Sequence, residues 1–520
     1  MAALDRNSVV AIIGSGAMGA GIAQVAAASG HTVMLYDTRA EAVHKAIADI
    51  AKVYAKLAEK GRMTAADADA AIARLRAAPA LGDVAGAALV VEAIIENLDV
   101  KRALFADLEG VVGDGCILAT NTSSISVTAI AAKLRRPQRL VGMHFFNPVP
   151  LMALVEVISG LATDAAAAQT VFDTAAAWGK NPVHAKSTPG FIVNRVARPY
   201  YAEGLRLLNE RAADPATIDA VMREAGGFRM GPFELMDLIG HDVNHSVTQS
   251  VFSAYYNDPR FTPSVIQQEL VNAGFLGRKS GRGFYAYGEG AETPRPRSEA
   301  AQPKPEFVSY SLEPGTGASA NTDAVLARFQ AHGIEVSQRT LVESHSHTHD
   351  AAPAFHCNGA AVYLTDGRSA TQRARDNKHP DTVVFDLALD YAQATRIAIA
   401  ASDQCKPAAC QAVVGLFQAC GFTVTKLDDV PGLAVMRTVA MLANEAADAV
   451  HQGVCSAEGA DIAMQKGVNY PRGPLAWADA VGIGHVVAVL NNLAASYGED
   501  RYRVSPLLRR KLAAGAKFHA

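Results

Sequence analysis

His144 and Glu156 stand twelve residues apart in VGMHFFNPVPLMALVEV (141–157), an imidazole and a carboxylate in an otherwise apolar stretch. An imidazole hydrogen-bonded to a carboxylate has one tautomer fixed and its basicity raised, which is what a general base near neutral pH requires. If residues 142–146 and 153–158 pair antiparallel around a turn at Pro148-Val149-Pro150, the centre of pairing falls near residue 150. His144 and Glu156 then face each other, and their even separation keeps both side chains on one face. Taken alone, the same residues also read as a strand cap and a solvated edge pair. Two further stretches bear on the choice. ATNTSS places Asn121 and Ser123 just beyond the carboxyl end of a strand, where open parallel sheets bind ligands. PGFIVNR places Asn194 at the start of a helical region. Ser and Asn can hydrogen-bond a hydroxyl that becomes a carbonyl, so Ser123, His144, Glu156 and Asn194 together suit hydride transfer from a secondary alcohol.

A hydride needs an acceptor. AIIGSGAMGAGIAQ carries Gly14, Gly16 and Gly19 in GxGxxG spacing between an apolar strand and an Ala-rich helix. That spacing gives a tight strand-to-helix turn, close backbone approach to a pyrophosphate, and free amides at a helix N-terminus. Asp37 ends the next strand, 18 residues after Gly19, where a carboxylate accepts the ribose hydroxyls of NAD and repels a 2′-phosphate. The reading is a dinucleotide site for NAD, with Arg39 two residues on leaving NADP open.

These residues must be positioned by alternating elements. Strands are expected at VVAII, HTVMLYD, AALVVEAI, CILATN and LVGMHFF, separated by helices, one of them spanning roughly residues 40–77. The alternation predicts parallel βαβ units, and thus an α/β Rossmann-type domain over residues 1–188. From 189 to about 290 the pattern is helical; a Pro/Gly/Glu-rich linker follows at 291–305, then a small degenerate α/β segment at 306–430. The last part, 431–520, repeats the helical domain. PGFIVNR (189–195) returns as PGLAVMR (431–437), and at that offset of 242 Gly179 meets Gly421, Glu203 meets Glu445, Asp219 meets Asp461, Asp237 meets Asp479 and Gly240 meets Gly482. Glu156 becomes Ala398 and Asn194 becomes Met436, so the second copy lacks the chemistry of the first.

The bulk numbers exclude other classes. The chain has 520 residues, 19% charged, with a formal net charge of −3, so no global basic field attracts nucleic acid or an anionic membrane. Six scattered cysteines without a CxxC pair read as reduced thiols. The N-terminus shows no secretory pattern and no apolar run reaches the length of a membrane span, so the expected compartment is the cytoplasm. His345, His347 and His349 alternate in ESHSHTHD but lack partner ligands of defined spacing; a surface loop is expected there, and no metal.

The chain resembles the 3-hydroxyacyl-CoA dehydrogenase family, whose signatures GxGxxG, VVEAI.EN, NTSS, HFFNP and PGFIVNR stand at residues 14–19, 90–97, 121–124, 144–148 and 189–195. The resemblance covers about residues 8–288, and with its second helical copy the chain resembles the longer bacterial form associated with 3-hydroxyadipyl-CoA oxidation in phenylacetate breakdown. It implies oxidation of an (S)-3-hydroxyacyl-CoA thioester, 3-hydroxyadipyl-CoA or 3-hydroxybutyryl-CoA, with NAD. It also implies His144 as base, Glu156 as its orienting carboxylate, and Ser123 and Asn194 as holders of the substrate oxygen. By the same resemblance Glu96, Lys101, Asn147 and Lys279 lie near the nicotinamide and ribose. Lys52 and Lys56, at i, i+4 on one helix, are candidates for the coenzyme A phosphates, with a solvated helix face as the alternative. The helical domain is the dimer interface of single-unit relatives, so the second copy is expected to serve as a built-in partner, with further homo-oligomerisation open. Two other readings keep the nucleotide site: a dehydrogenase of a free hydroxy acid such as L-gulonate, and a non-catalytic NAD-binding protein.

Overall fold

The structure, a computed structural model, describes residues 3–305, 307–311, 320–339 and 352–519. His345, His347 and His349 lie outside the described residues. Two compact units make up the chain, residues 1–195 with 449–469, and residues 196–448 with 470–520.

The first unit is built on eight strands. They are β1 (Val9–Ile13), β2 (Thr32–Tyr36), β3 (Leu75–Ala77), β4 (Ala87–Glu92), β5 (Ile117–Thr120), β6 (Leu140–Phe145), β7 (Leu154–Ser159) and β8 (Asn181–Lys186). Their order is β3-β2-β1-β4-β5-β6-β7-β8. Pairing is parallel from β3 to β6, antiparallel between β6 and β7, and parallel again between β7 and β8. The central strands are near-continuous apolar runs because helices cover both faces of a parallel sheet. Val10, Ile12, Leu89, Val91, Ala119, Val141 and Met143 are buried together in that core.

The helical stretch expected over 40–77 is divided. Helix Ala40–Glu59 stops before Gly61, whose φ of +65° suits glycine, and Thr64 caps a second helix, Ala65–Arg74, by accepting from Asp67 N at 3.0 Å. Leu75–Ala77 then joins the sheet as β3. A helix from far along the chain completes the unit: Ala457–Gly467 packs on β7 and β8, and Lys186 N donates to Val454 O at 2.9 Å.

The second unit holds the remaining strands, β9 (Phe307–Ser311), β10 (Glu335–Arg339), β11 (Phe355–Cys357), β12 (Ala360–Leu364), β13 (Thr382–Phe385), β14 (Arg396–Ala401) and β15 (Thr423–Lys426). Their order is β10-β9-β11-β12-β13-β14-β15. The repeat offset of 242 extends into this sheet. It carries β7 onto β14 and helix Ala165–Ala177 onto helix Pro407–Ala419 residue for residue. The antiparallel step between β6 and β7 recurs between β13 and β14. Duplication therefore covers more than the helical domain.

Helix Pro215–Glu224, the repeat mate of Ala457–Gly467, packs on β14, where Arg396 Nε donates to Glu224 Oε2 at 3.0 Å. Each sheet thus receives this helix from the other repeat. Most of both helical copies lies in the second unit, where buried ion pairs tie them. Glu203 meets Arg437 at 2.6 Å, and Arg260 meets Glu445 at 3.1 Å and also Asp448. The Pro/Gly/Glu-rich segment keeps exposed side chains but not a free backbone: Arg297 N donates to Thr217 Oγ1 and Glu299 N to Val424 O. Among the described residues no single helix is long and apolar enough to cross a membrane.

Candidate active site

The turn after β1 is dictated by contact. Gly14 has φ +104°, and a Cβ there would lie 2.6 Å from Ala93 O; a Cβ on Gly19 would lie 1.9 Å from Gly14 O. Gly16, the N-cap of helix Ala17–Ala28, meets nothing within 4 Å, so space remains in front of the helix N-terminus. Asp37, just past β2, accepts from Ser15 N at 2.9 Å, Ser15 Oγ at 2.8 Å and Arg39 N at 3.1 Å. Burial works to raise its pKa, but these bonds outweigh it and hold the carboxyl below the usual range. A cavity of about 740 Å³ runs from this turn past Gly16, Arg39 and Lys45 to Asn147 and Leu151.

His144 and Glu156 are direct partners across β6 and β7. His144 Nδ1 lies 2.7 Å from Glu156 Oε2, and both residues are buried. Glu156 Oε1 accepts from Ile192 N at 2.9 Å and Val193 N at 3.0 Å, the amides that open the PGFIVNR turn of helix. The carboxylate therefore has no freedom to rotate away. Because a carboxylate only accepts, Nδ1 carries the hydrogen and Nε2 keeps the lone pair. Phe146 and Phe191 pack against the imidazole with ring centroids 4.5 Å and 5.9 Å away.

A polar network occupies the carboxyl ends of β4 and β5. Lys101, 1% exposed, places Nζ 2.6 Å from Glu92 Oε1 and 3.2 Å from Glu96 Oε2. Glu92 Oε2 accepts from Thr120 Oγ1 at 2.7 Å. Glu96 Oε1 accepts from Thr122 Oγ1 at 2.6 Å, Ser123 N at 2.9 Å and Ser124 Oγ at 3.1 Å. Burial raises the Glu96 pKa, yet the Thr122 hydrogen bond and the Lys101 charge outweigh it and leave the carboxyl lowered. Ser123 O accepts from Asn194 Nδ2 at 3.4 Å, and Asn121 Oδ1 accepts from Phe145 N at 2.8 Å. Ser123, Asn194, His144, Glu156, Glu96 and Lys101 are thus all in the first unit.

Lys279 belongs to the second unit, where its Nζ pairs with Asp242 at 2.5 Å. Lys52 pairs with Asp49 at 3.0 Å on the exposed face of helix Ala40–Glu59, and Lys56 is exposed near its end. Lys45 is the lysine of that helix that lines the large cavity, and Asp49 accepts from it too. The sequence reading passed over Glu92, Thr120 and Thr122. The available sign was position: an acid and two threonines at the carboxyl ends of adjacent strands.

Comparison with known proteins gives the geometry a context. The family model for the 3-hydroxyacyl-CoA dehydrogenase NAD binding domain matches residues 9–188, and that for the C-terminal domain matches 190–287 and again 432–518. The 3-hydroxybutyryl-CoA dehydrogenase reduced Rossmann-fold domain matches 362–431. The chain is 44% identical over 503 residues to 3-hydroxyadipyl-CoA dehydrogenase of Escherichia coli, covering 96% of this chain and 97% of that one. The chain belongs to the 3-hydroxyacyl-CoA dehydrogenase family.

The solved structure of Escherichia coli 3-hydroxybutyryl-CoA dehydrogenase is similar over 98% of this chain and all of that one, with TM-score 0.84 and 42% identity. That of (S)-3-hydroxybutyryl-CoA dehydrogenase from Ralstonia eutropha covers 54% of this chain and all of its own, with TM-score 0.53 and 40% identity. As a member of this family the chain is an NAD-dependent dehydrogenase, and the site fits that cofactor. Gly16 leaves open space where a pyrophosphate would meet helix amides, and the Asp37 carboxylate suits ribose hydroxyls.

The second repeat keeps the scaffold around the His144–Glu156 pair with other residues in their places. At the offset of 242, His144 becomes Asp386 and Glu156 becomes Ala398. Asp386 accepts from Ala434 N at 2.9 Å, Val435 N at 2.7 Å and Met436 N at 2.9 Å. The first two amides are the repeat mates of those that Glu156 holds. In the second repeat the carboxylate that holds these amides stands just past the end of β13, at the repeat position of the imidazole on β6.

Proposed function

We propose that the chain oxidises (S)-3-hydroxyacyl-CoA thioesters to 3-ketoacyl-CoA, with 3-hydroxyadipyl-CoA and 3-hydroxybutyryl-CoA as the substrates of choice. The observation that carries the reading is the 2.7 Å His144–Glu156 contact, with the other Glu156 oxygen pinned by two backbone amides. The relative named 3-hydroxyadipyl-CoA dehydrogenase, similar over nearly the whole chain, supports the acyl group.

When bound, NAD accepts the hydride leaving C3 of the substrate. Gly14, Gly16, Gly19 and Asp37 would hold the dinucleotide, and the family resemblance adds Glu96, Lys101, Asn147 and Lys279 to the residues that would hold it. His144 Nε2 takes the hydroxyl proton, and Glu156 stabilises the imidazolium that results. Ser123 and Asn194 hold the substrate oxygen as it becomes a carbonyl. The phosphates of coenzyme A meet the lysines of helix Ala40–Glu59, Lys52 and Lys56 included.

The two helical copies act as a built-in dimer, giving one active site per chain. The exchange of helices Pro215–Glu224 and Ala457–Gly467 and the buried Glu203–Arg437 pair support this. A chain ending at residue 290 should therefore self-associate or lose activity. If it stays monomeric and fully active, the built-in-partner reading fails.

The reaction is tested by following NADH oxidation with acetoacetyl-CoA and, separately, the 3-ketoadipyl thioester. Activity with both supports the reading and ranks the acyl tails. Inactivity with both, while NADH still binds, would overturn it.

A further inference from the structure

A second cavity, of about 390 Å³, lies wholly within the second unit and shares no residue with the candidate site. Four arginines line it: Arg198, Arg206, Arg260 and Arg501. Two are accounted for. Arg206 donates through both terminal nitrogens to Glu499, at 3.2 Å and 2.8 Å, and Arg260 is held by Glu445, Asp448 and the carbonyl of Arg503.

Among the described residues Arg198 lacks a carboxylate partner, and Arg501 is only partly paired. Arg198, 5% exposed, donates through Nη1 to Thr248 Oγ1 at 3.0 Å and lies 4.8 Å over the Tyr201 ring. Its Nε is buried without a hydrogen bond, and among the described residues no carboxylate pairs with it. The Arg501 guanidinium, in a residue 8% exposed, makes no hydrogen bond among the described residues. Its Nε is 3.6 Å from Glu499 Oε2, an oxygen shared with Arg206, and the buried Glu203 carboxylate, held by Arg437 and Tyr502, adds a further attraction. Glu210, the remaining carboxylate of the lining, is held by Arg437 and Tyr497.

Withdrawing a guanidinium from water without a counter-charge is strongly unfavourable. Arg198 also stands at the first position of helix Arg198–Asn209, where the helix dipole repels a cation. An anion in the cavity would relieve both costs. Guanidinium groups match the planar geometry of carboxylate and phosphate oxygens. Leu205, Phe261, Val265 and Ile266 complete the lining with apolar surface, and the volume is in the range of small-molecule sites.

We propose that this cavity binds a small organic oxyanion, a carboxylate or phosphate monoester with a short apolar body, whose acid group is received by Arg198 and Arg501. The test is isothermal titration of the full-length protein, at fixed ionic strength, with adipate and with inorganic phosphate in separate runs. Saturable binding of either supports the site, and the tighter of the two identifies the acid group. Arg198→Gln and Arg501→Gln should each weaken that binding by roughly tenfold to a hundredfold, with a cooperative melt as the check on folding. Where a glutamine variant does not fold, Arg501→Lys keeps the charge, loses the planar fork, and should still weaken binding. No saturable binding of either probe overturns the proposal, as does binding that these variants leave unchanged.

Discussion

Replacing Glu156 by glutamine isolates what the carboxylate does, because the substitution keeps its shape. The glutamine carbonyl can still accept from Ile192 N and Val193 N, so the turn it holds stays in place. What changes is the other side, 2.7 Å from His144 Nδ1. An NH₂ group now faces a ring N–H, and the imidazole relieves that clash by moving its proton to Nε2. The nitrogen that should take the substrate proton then already holds one. The stabilising charge beside the imidazolium is lost as well. General-base assistance together with a wrong tautomer accounts for roughly a 10³- to 10⁴-fold loss in turnover, or about 4–5.5 kcal/mol in the barrier. The assay is steady-state NADH formation from NAD and (S)-3-hydroxybutyryl-CoA, beside a fluorescence titration of NADH. Turnover should collapse while NADH affinity stays within a few-fold of the parent. Turnover within tenfold of the parent would refute the dyad mechanism, and lost NADH binding would show that Glu156 supports the cofactor site instead.

Three further outcomes are expected. Gly19→Ala should force the glycine turn open, since its Cβ would sit 1.9 Å from Gly14 O, and should weaken NADH binding at least about tenfold by fluorescence titration. Glu203→Gln leaves the buried Arg437 short of charge and should cost about 3 kcal/mol in urea unfolding; a change under about 0.5 kcal/mol would mean that Glu210 compensates fully. Asp386 has its pKa pushed up to about 6 by burial, which the amides of Met436, Val435, Ala434 and Leu387 offset only in part. Between about pH 4 and 6 the folded chain keeps a proton that the unfolded chain has released, so this group's contribution to stability is full at low pH and is lost as pH rises through 6. Relative to Asp386→Asn, the parent should lose on the order of 2–3 kcal/mol between pH 4 and pH 7 in urea unfolding, and a pH-independent difference would contradict it.

Legibility followed locality. The glycine turn is readable because tight turns restrict residue type, and the His144–Glu156 register follows from even spacing about a proline-rich turn. The repeat is readable because one gapless offset survives, although the recurrence of the β6–β7 step as β13–β14 emerges only when the strands are placed. Strand β3 is invisible, being three residues at the end of a helical pattern, and β8 is masked by a sequence, NPVHAK, that holds both a proline and a lysine. Lys101 is legible as a site candidate by resemblance but not as a buried residue. A lysine in the first turn of a helix next to acids reads as a solvated pair, and only the convergence of β4 and β5 shows that Glu92 and Glu96 enclose it. The exchanged helices were out of reach altogether, since no local pattern says which sheet a helix will cover.

That exchange bears on synthesis. The helix covering β7 and β8 begins at Ala457, 271 residues after β8 ends at Lys186. At translation rates of about 5–20 residues per second, these strands wait roughly 15–55 s for their cover. For that time the growing chain carries β7 and β8 without the helix that covers them. Such a chain should depend on chaperones more than its ordinary composition suggests, and neither residues 1–290 nor residues 291–520 hold all of either unit.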